Sequence, residues 1–261
     1  MDDFQITPLI ITFNEEANLL RTLTKLRWAR EVLVIDSGST DRTLEIIAQF
    51  PNVRVVTRPF DSFARQCNFG LEKVETEWVL SLDADYILTD ELVAELEHFA
   101  PSDSHAGFRA GFRYCINGKP LRGTLYPPRT VLYRRSAARY EDDGHGHRVQ
   151  IQGSVGELKG RILHDDRKPL KRWLESQRKY AAQEADKLLS PEDPQGGMAD
   201  RLRRMIWPAV PTVFVYTYFF KGLIFDGWAG LYYTLQRVYA ELLLSLELLD
   251  RKLAQRTKSD S

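Results

Sequence analysis

The stretch "WVLSLDADYIL" at residues 78–88 is apolar at four of its first five positions and then sets two aspartates one residue apart, Asp83 and Asp85. An apolar run of this kind reads as a buried strand, and burying an ionised carboxylate is costly unless something compensates it. A bound divalent cation is one such compensation. Three earlier stretches share the pattern: "ITPLIITF" (6–13), "EVLVID" (31–36) and "VRVVT" (53–57) are short, apolar and rich in β-branched residues, with helical patterns between them. They read as strands covered on both faces of a parallel sheet. Asn14 is expected to cap a helix carrying Leu19, Leu20, Leu23 and Leu26 on one face, and Ser39 or Thr40 to cap another carrying Leu44 and Ile47. The β-α-β-α alternation predicts an α/β, doubly wound fold of the nucleotide-binding type.

Open sheets of this type bind ligands beyond the carboxyl ends of their strands. The polar residues cluster there: Phe13, Asn14 and Glu15 after the first strand, Asp36 to Asp41 after the second, Arg58 after the third, and Asp83 to Asp85 after the fourth. In "LVIDSGSTDRT" (33–43) Asp36 can accept a hydrogen bond from a ring N–H of a base, while the following helix N-terminus favours phosphate. Asp83 and Asp85 can face one cation if the chain bends after Asp83. Hard oxygen ligands suit Mg²⁺ or Mn²⁺, which completes its shell with substrate phosphates and water and steadies a departing diphosphate. No G-x-G-x-x-G follows the first strand, which disfavours a dehydrogenase, and "ITFNEEAN" lacks the glycine of a nucleotidyltransferase signature.

Lys+Arg and Asp+Glu both total 36, yet the first hundred residues hold nine basic against eighteen acidic, leaving 27 against 18 behind. The basic rear half points to a membrane surface or a phosphorylated substrate, and nucleic acid is not expected as a partner. Cys67 and Cys115 form no metal or disulfide framework, so a reducing cytosol is the default compartment, and "MDDFQITPL" has no signal-peptide pattern. Past residue 100, "GFRAGFRYCI" (107–116) and "TVLYRR" (130–135) read as strands, 168–189 as a basic helix, and "SPEDPQGG" (190–197) as a linker. A globular domain over 1–189 is therefore expected, followed by a helical tail over 198–254. The apolar stretch from Met205 to Phe220 holds Pro208 and Pro211 and is flanked by Arg201, Arg203, Arg204 and Lys221. It is short of the ~20 apolar residues a spanning helix needs, and its aromatic density fits an amphipathic membrane-interface region. An oligomer interface and ordinary core are the alternatives.

Through "PLIITFNEE", "VLVIDSGSTDRT", "RQCNFGLEK" and "LSLDADYIL", residues 6–90 resemble the family 2 glycosyltransferases of the GT-A fold, which are inverting enzymes. The resemblance implies a Rossmann-like, mixed but mainly parallel sheet flanked by helices, with nucleotide-sugar binding in 1–100 and acceptor binding in 101–189. It implies a UDP-sugar donor surrounded by Phe13, Asn14, Glu15, Asp36, Ser37, Gly38 and Arg58, with Asn68 near the ribose or supporting the loop. Asp83, Ala84 and Asp85 would flank the metal and diphosphate. His164, in "ILHDD", is by analogy a further metal or diphosphate contact, with a structural role as the alternative, and Gln177, Arg178 and Tyr180 match a helix that orders over the diphosphate. An inverting transfer needs a base for the acceptor hydroxyl. The resemblance puts it in "YEDDGHGHRV" (140–149), as Asp142 or Asp143, with His145 and His147 as helpers or acceptor contacts and an acidic solvated loop as the alternative. Relatives often carry His-Glu here, where this chain has His147-Arg148.

Residues 149–185 and "FDGWAGL" further resemble the lipopolysaccharide-core branch, which includes enzymes adding glucose to heptose. That implies a hexose, glucose from UDP-glucose, transferred to a lipid-linked glycan by a protein peripheral on the inner, cytoplasmic face of the bacterial cell membrane. Transfer to a polyprenyl phosphate and a catalytically silent sugar-nucleotide-binding scaffold are the rival expectations.

Overall fold

A computed structural model describes residues 6–100, 104–143, 146–190 and 197–259. The chain forms two compact units, one running to Pro120 and resuming over Tyr126–Lys168, the other made of Leu121–Leu125 and Pro169–Ser261.

The first unit contains β1 (Ile6–Thr12), α1 (Leu19–Thr24), β2 (Val32–Asp36), α2 (Thr43–Ile47), β3 (Val53–Thr57), α3 (Phe63–Lys73), β4 (Trp78–Asp83), β5 (Tyr86–Leu88) and α4 (Asp90–Glu97). It continues with β6 (Gly107–Ile116), β7 (Lys119–Pro120), β8 (Arg129–Arg134), β9 (Ala138–Asp143), β10 (Gly146–Ile151) and β11 (Val155–His164). The main sheet runs β3-β2-β1-β4-β8-β6-β11-β5, with β7 on β6 and a separate β9–β10 hairpin. β1 is parallel to β2 and β4, and β2 to β3, as the apolar runs predict. β8 is antiparallel to both β4 and β6, so β6 and its parallel neighbour β11 point the same way as β4.

The Asp-Ala-Asp stretch decides the shape of this sheet. β4 and β5 are joined by two residues, a link whose Cα atoms span at most about 11 Å. Yet β8, β6 and β11 lie between them in the sheet, which would separate them by about 19 Å if it were flat. The sheet must curl, and the turn bearing Asp85 closes the curl. Both faces are covered: Ile10, Val34 and Leu80 pack with Leu19, Leu23 and Leu26 on one side, and Leu9, Leu33 and Val79 with Cys67 and Leu71 on the other. Leu20 and Leu44, expected on buried faces, are about half exposed; Thr22 takes the inward position on α1, and Thr43 and Ile46 on α2. Leu19, Leu23, Leu26 and Ile47 are buried as expected, so the inward faces are right, and Leu20 and Leu44 lie at their exposed edges.

The second unit holds α5 (Leu170–Leu189), α6 (Met198–Arg204), α7 (Ala209–Val215) and α8 (Gly227–Ser259). Ala181, Ala185 and Leu188 of α5 pack on Leu244 and Leu248 of α8. That shared core is why α5 groups with the tail, so the division expected at 189 falls after Lys168. No described helix is long and apolar enough to cross a membrane.

Candidate active site

The carboxyl ends of β1, β2 and β3 are tied to one another by side chains. Asn14 has a φ of 56°, and its Oδ1 accepts from the N–H groups of Thr40 (2.7 Å) and Asp41 (3.3 Å), while its own N–H donates to Ser39 Oγ at 2.8 Å. It therefore braces the loop after β2 and does not cap α1. The Glu15 N–H donates to Thr43 Oγ1 at 2.7 Å. Asp36 is fully buried. Its Oδ2 accepts from the N–H groups of Gly38 and Ser39, both at 2.9 Å, and its Oδ1 from the Ser39 hydroxyl at 2.6 Å. Gly38, at φ 87°, occupies the left-handed region that favours glycine. Ser37 accepts from Gln66 Nε2 at 2.8 Å, and fully buried Gln66 also donates to the Arg58 carbonyl at 3.1 Å and accepts from its guanidinium. Arg58 grips both Asp61 oxygens at 2.8 Å, and that bonding holds the Asp61 carboxyl far below the usual range.

Asn68 pairs its amide with the backbone of Tyr140, donating to the carbonyl at 3.0 Å and accepting from the N–H at 2.9 Å. Of its two expected roles, these bonds serve the supporting one, fastening β9 to α3. Asp142 accepts from the Ala64 N–H, in the first turn of α3, at 3.1 Å. Burial pushes the Cys67 thiol pKa up, and the charges of Asp83 and Asp142 add to it. The side chains of Asp143, His145 and His147 lie outside the described residues.

At the end of β4, Asp83 is half-buried and Ala84 buried, and the Ala84 carbonyl accepts from the Thr22 hydroxyl at 2.7 Å. Asp85 Oδ2 stands 3.1 Å from His164 Nε2, at the end of β11. Burial works against the charged form of each, yet each partner more than offsets it: the His164 pKa is raised and that of Asp85 lowered. Each group thus favours the charged form of the other. The ring is packed among Tyr86, Tyr114 and Tyr126, with centroids 4.7 to 5.2 Å away.

Residues just past His164, with Asn18 and Arg21, complete the rim, and none was singled out from the sequence for a role. Lys168 Nζ lies 2.7 Å from Glu15 Oε1 and 3.8 Å from Asp166 Oδ1. Asn18 Nδ2 donates to Glu15 Oε2 at 2.9 Å and to Asp166 Oδ1 at 2.8 Å. Asp165, buried, pairs with Arg21 and accepts from Arg167 Nε at 2.9 Å and from the Gly118 N–H at 3.0 Å. The dense charge of "HDDRK" straight after a strand was the available signal. Gln177, Arg178 and Tyr180 lie on α5 in the second unit, Arg178 exposed and the other two half-buried.

Glu15 gives the rim a pH signature. Burial raises its pKa, Lys168 opposes and Asp85 adds, for a value pushed up from 4.5 to about 7. A carboxyl that holds its proton more tightly when folded loses stability as pH rises from the unfolded value to the folded one. Urea unfolding of wild type and Glu15→Gln across that window is therefore expected to show the variant gaining on wild type from pH 4.5 to about 7, by at most about 3 kcal/mol. A constant difference would mean that Glu15 titrates normally.

The residues present suit a hard divalent cation in part. Mg²⁺ is commonly held by one or two carboxylates together with substrate phosphates, and Asp83 with Asp85 supplies that number at one strand end. His164, expected as a further contact, stands beside them with its Nε2 3.1 Å from Asp85 Oδ2. Among the described residues no group of three or more His, Cys, Asp or Glu side chains is disposed to hold a metal ion.

The family described as "Glycosyl transferase family 2" matches residues 8–152. The lipopolysaccharide core biosynthesis glycosyltransferase LpsC of Rhizobium meliloti is 30% identical over 241 residues, covering 86% of this chain and 84% of that protein. An uncharacterized glycosyltransferase of Rickettsia prowazekii is 26% identical over 241 residues, covering 85% and 80%. Among solved structures, S. aureus TarS 1-349 in complex with UDP-GlcNAc aligns with 96% of this chain and 92% of that one, at 16% identity and a TM-score of 0.48.

Proposed function

The chain belongs to glycosyl transferase family 2, and from that premise we propose that it transfers a hexose, glucose from UDP-glucose, to a lipid-linked glycan of the lipopolysaccharide core. It is a glycosyltransferase of the GT-A type of fold, related to lipopolysaccharide core biosynthesis. The observation that carries the donor side of the proposal is the gathering of Glu15, Asp83, Asp85, His164 and Lys168 where β1, β4 and β11 end. The similarity to LpsC supports the acceptor side, and a lipid-linked acceptor would put the reaction at the inner face of a bacterial membrane.

In this reading the nucleotide lies along Phe13 to Glu15, Asp36 to Gly38 and Arg58, on loops that their mutual hydrogen bonds hold ready. Asp83 and Asp85 would hold Mg²⁺ or Mn²⁺, which supplies Lewis-acid stabilisation of a departing diphosphate. Lys168 adds fixed positive charge at the same rim, where preorganised charge acts most strongly on the leaving group. Asp142 or Asp143 takes the proton of the acceptor hydroxyl as it attacks from the face opposite the nucleotide.

Calorimetric titration with UDP, GDP, dTDP and CMP tests the donor assignment. UDP alone is expected to bind well, and Mn²⁺ to tighten it at least tenfold, about 1.4 kcal/mol. Binding of no nucleotide, with or without Mn²⁺, overturns the proposal and leaves the scaffold expectation standing.

A further inference from the structure

We propose that the turn between α7 and α8 is a docking surface for an anionic lipid bilayer, with Phe220, Phe225 and Trp228 as its inserted side chains. The chain there passes from α7 through a π-helical turn (Tyr216–Phe220) and a 3-10 turn (Leu223–Asp226) into α8. Phe220 is 78% exposed, Phe225 70% and Trp228 86%, with Trp207 nearby in sequence at 78%. Side chains of this size are rarely left in water together without a partner surface.

The backbone beneath them is firmly held. Leu223 is fully buried and Asp226 nearly so. The Asp226 carboxylate accepts from the Arg122 N–H at 2.8 Å and pairs with the Arg122 guanidinium. Gly222 and Gly227 take the positive φ angles, 73° and 60°, that the two bends require. At Gly230 a Cβ would stand 2.0 Å from the Leu223 carbonyl oxygen, so only glycine lets the first turn of α8 close onto the loop. The rings are thus presented outward by an ordered turn.

Charge selects the occupant. From Met205 to Phe225 the sequence carries one charged side chain, Lys221, and no carboxylate. Lys221 Nζ lies 5.5 Å from the Tyr216 ring centre, and Arg122, two-thirds exposed, lies 5.6 Å from that of Phe225. The nearest acid, Asp226, is turned inward onto Arg122. Exposed Trp and Phe interleaved with cations match the headgroup layer of an anionic bilayer. A second copy of the same surface would set these cations against one another with no exposed carboxylate to pair them. An adjoining apolar groove of about 510 Å³, lined by Pro211, Val215, Tyr216 and Phe220, gives acyl chains further room.

The use of this docking rests on the proposed lipid-linked acceptor, but the binding itself does not. The full chain is mixed with phosphatidylcholine vesicles, with and without phosphatidylglycerol, and bound protein is measured by flotation. Wild type is expected to favour the phosphatidylglycerol vesicles, F220S/F225S/W228S to lose at least about tenfold in binding, and Lys221→Glu to lose the preference for anionic lipid. Circular dichroism melting checks that these exposed substitutions leave the fold intact, with Trp207→Ser as a second variant should the triple one fail to fold. Equal binding by wild type and variants, or no binding of wild type to either vesicle, overturns the proposal. So does concentration-dependent self-association that the same substitutions abolish, since the surface would then belong to a second copy. Vesicle binding without UDP binding would leave the docking in place and remove the donor assignment.

Discussion

Asp83→Asn is expected to lower sugar transfer by about two to three orders of magnitude while leaving the unfolding midpoint in urea unchanged. The substitution keeps the shape of the side chain and removes the charge that would help hold a cation on the diphosphate. Asp83 is half-buried at the end of β4, and Asn fills the same space, so little packing changes. Asp85→Asn differs, because it also breaks the pair with His164. Its loss of activity should come with a lower midpoint and with a His164 pKa returned downward, seen by NMR titration of the ring. Full transfer activity in Asp83→Asn would remove the paired aspartates from the mechanism.

Asp165→Ala is expected to cost about 3–5 kcal/mol of stability, the range for removing one partner of a buried ion pair. Its side chain is 2% exposed, and it pairs with Arg21 and Arg167 while accepting from the Gly118 N–H. The Arg21 guanidinium also donates to the Asp165 carbonyl at 2.9 Å, so the side chain is fixed beside a charge that would be left unneutralised. Asp165→Asn keeps an acceptor for Gly118 and should lose less. Equilibrium urea unfolding reads both, and a loss under about 1 kcal/mol in the alanine variant, no more than a typical single hydrogen bond, would show that Arg21 finds other partners. Because the same segment carries His164 and Lys168, donor binding is expected to weaken along with stability.

β1, β2 and β4 could be read from sequence because their apolar runs are buried on both faces, which leaves a continuous signal, whereas β3, at the sheet edge, is only half-buried and was legible from its β-branched run. The bounds of β6, Gly107–Ile116, also fell where the apolar pattern put them. The inward helix faces were legible as well, with Leu19, Leu23, Leu26 and Ile47 buried and Leu20 and Leu44 at the exposed edges. The rim was harder, because its hydrogen bonds, such as Glu15 to Thr43, join residues 28 apart. The expectation that Asn14 caps a helix failed for the same reason: its side chain had partners in the loop after β2.

By itself, the sequence determined the parallel half of the sheet, the rim on which its polar residues gather, and family membership, since all of these rest on local pattern and motif. Only the tertiary structure decided how those polar side chains are held. Asp36, Asn68 and Arg58 are fixed by nearby backbone and side chains, and Lys168 joins Glu15 from 153 positions away. The physical reason is that a carboxylate, amide or cation is satisfied by whatever donor or acceptor the fold brings within about 3 Å, and the curl of the sheet, set by a two-residue link, brings β11 to the end of β4.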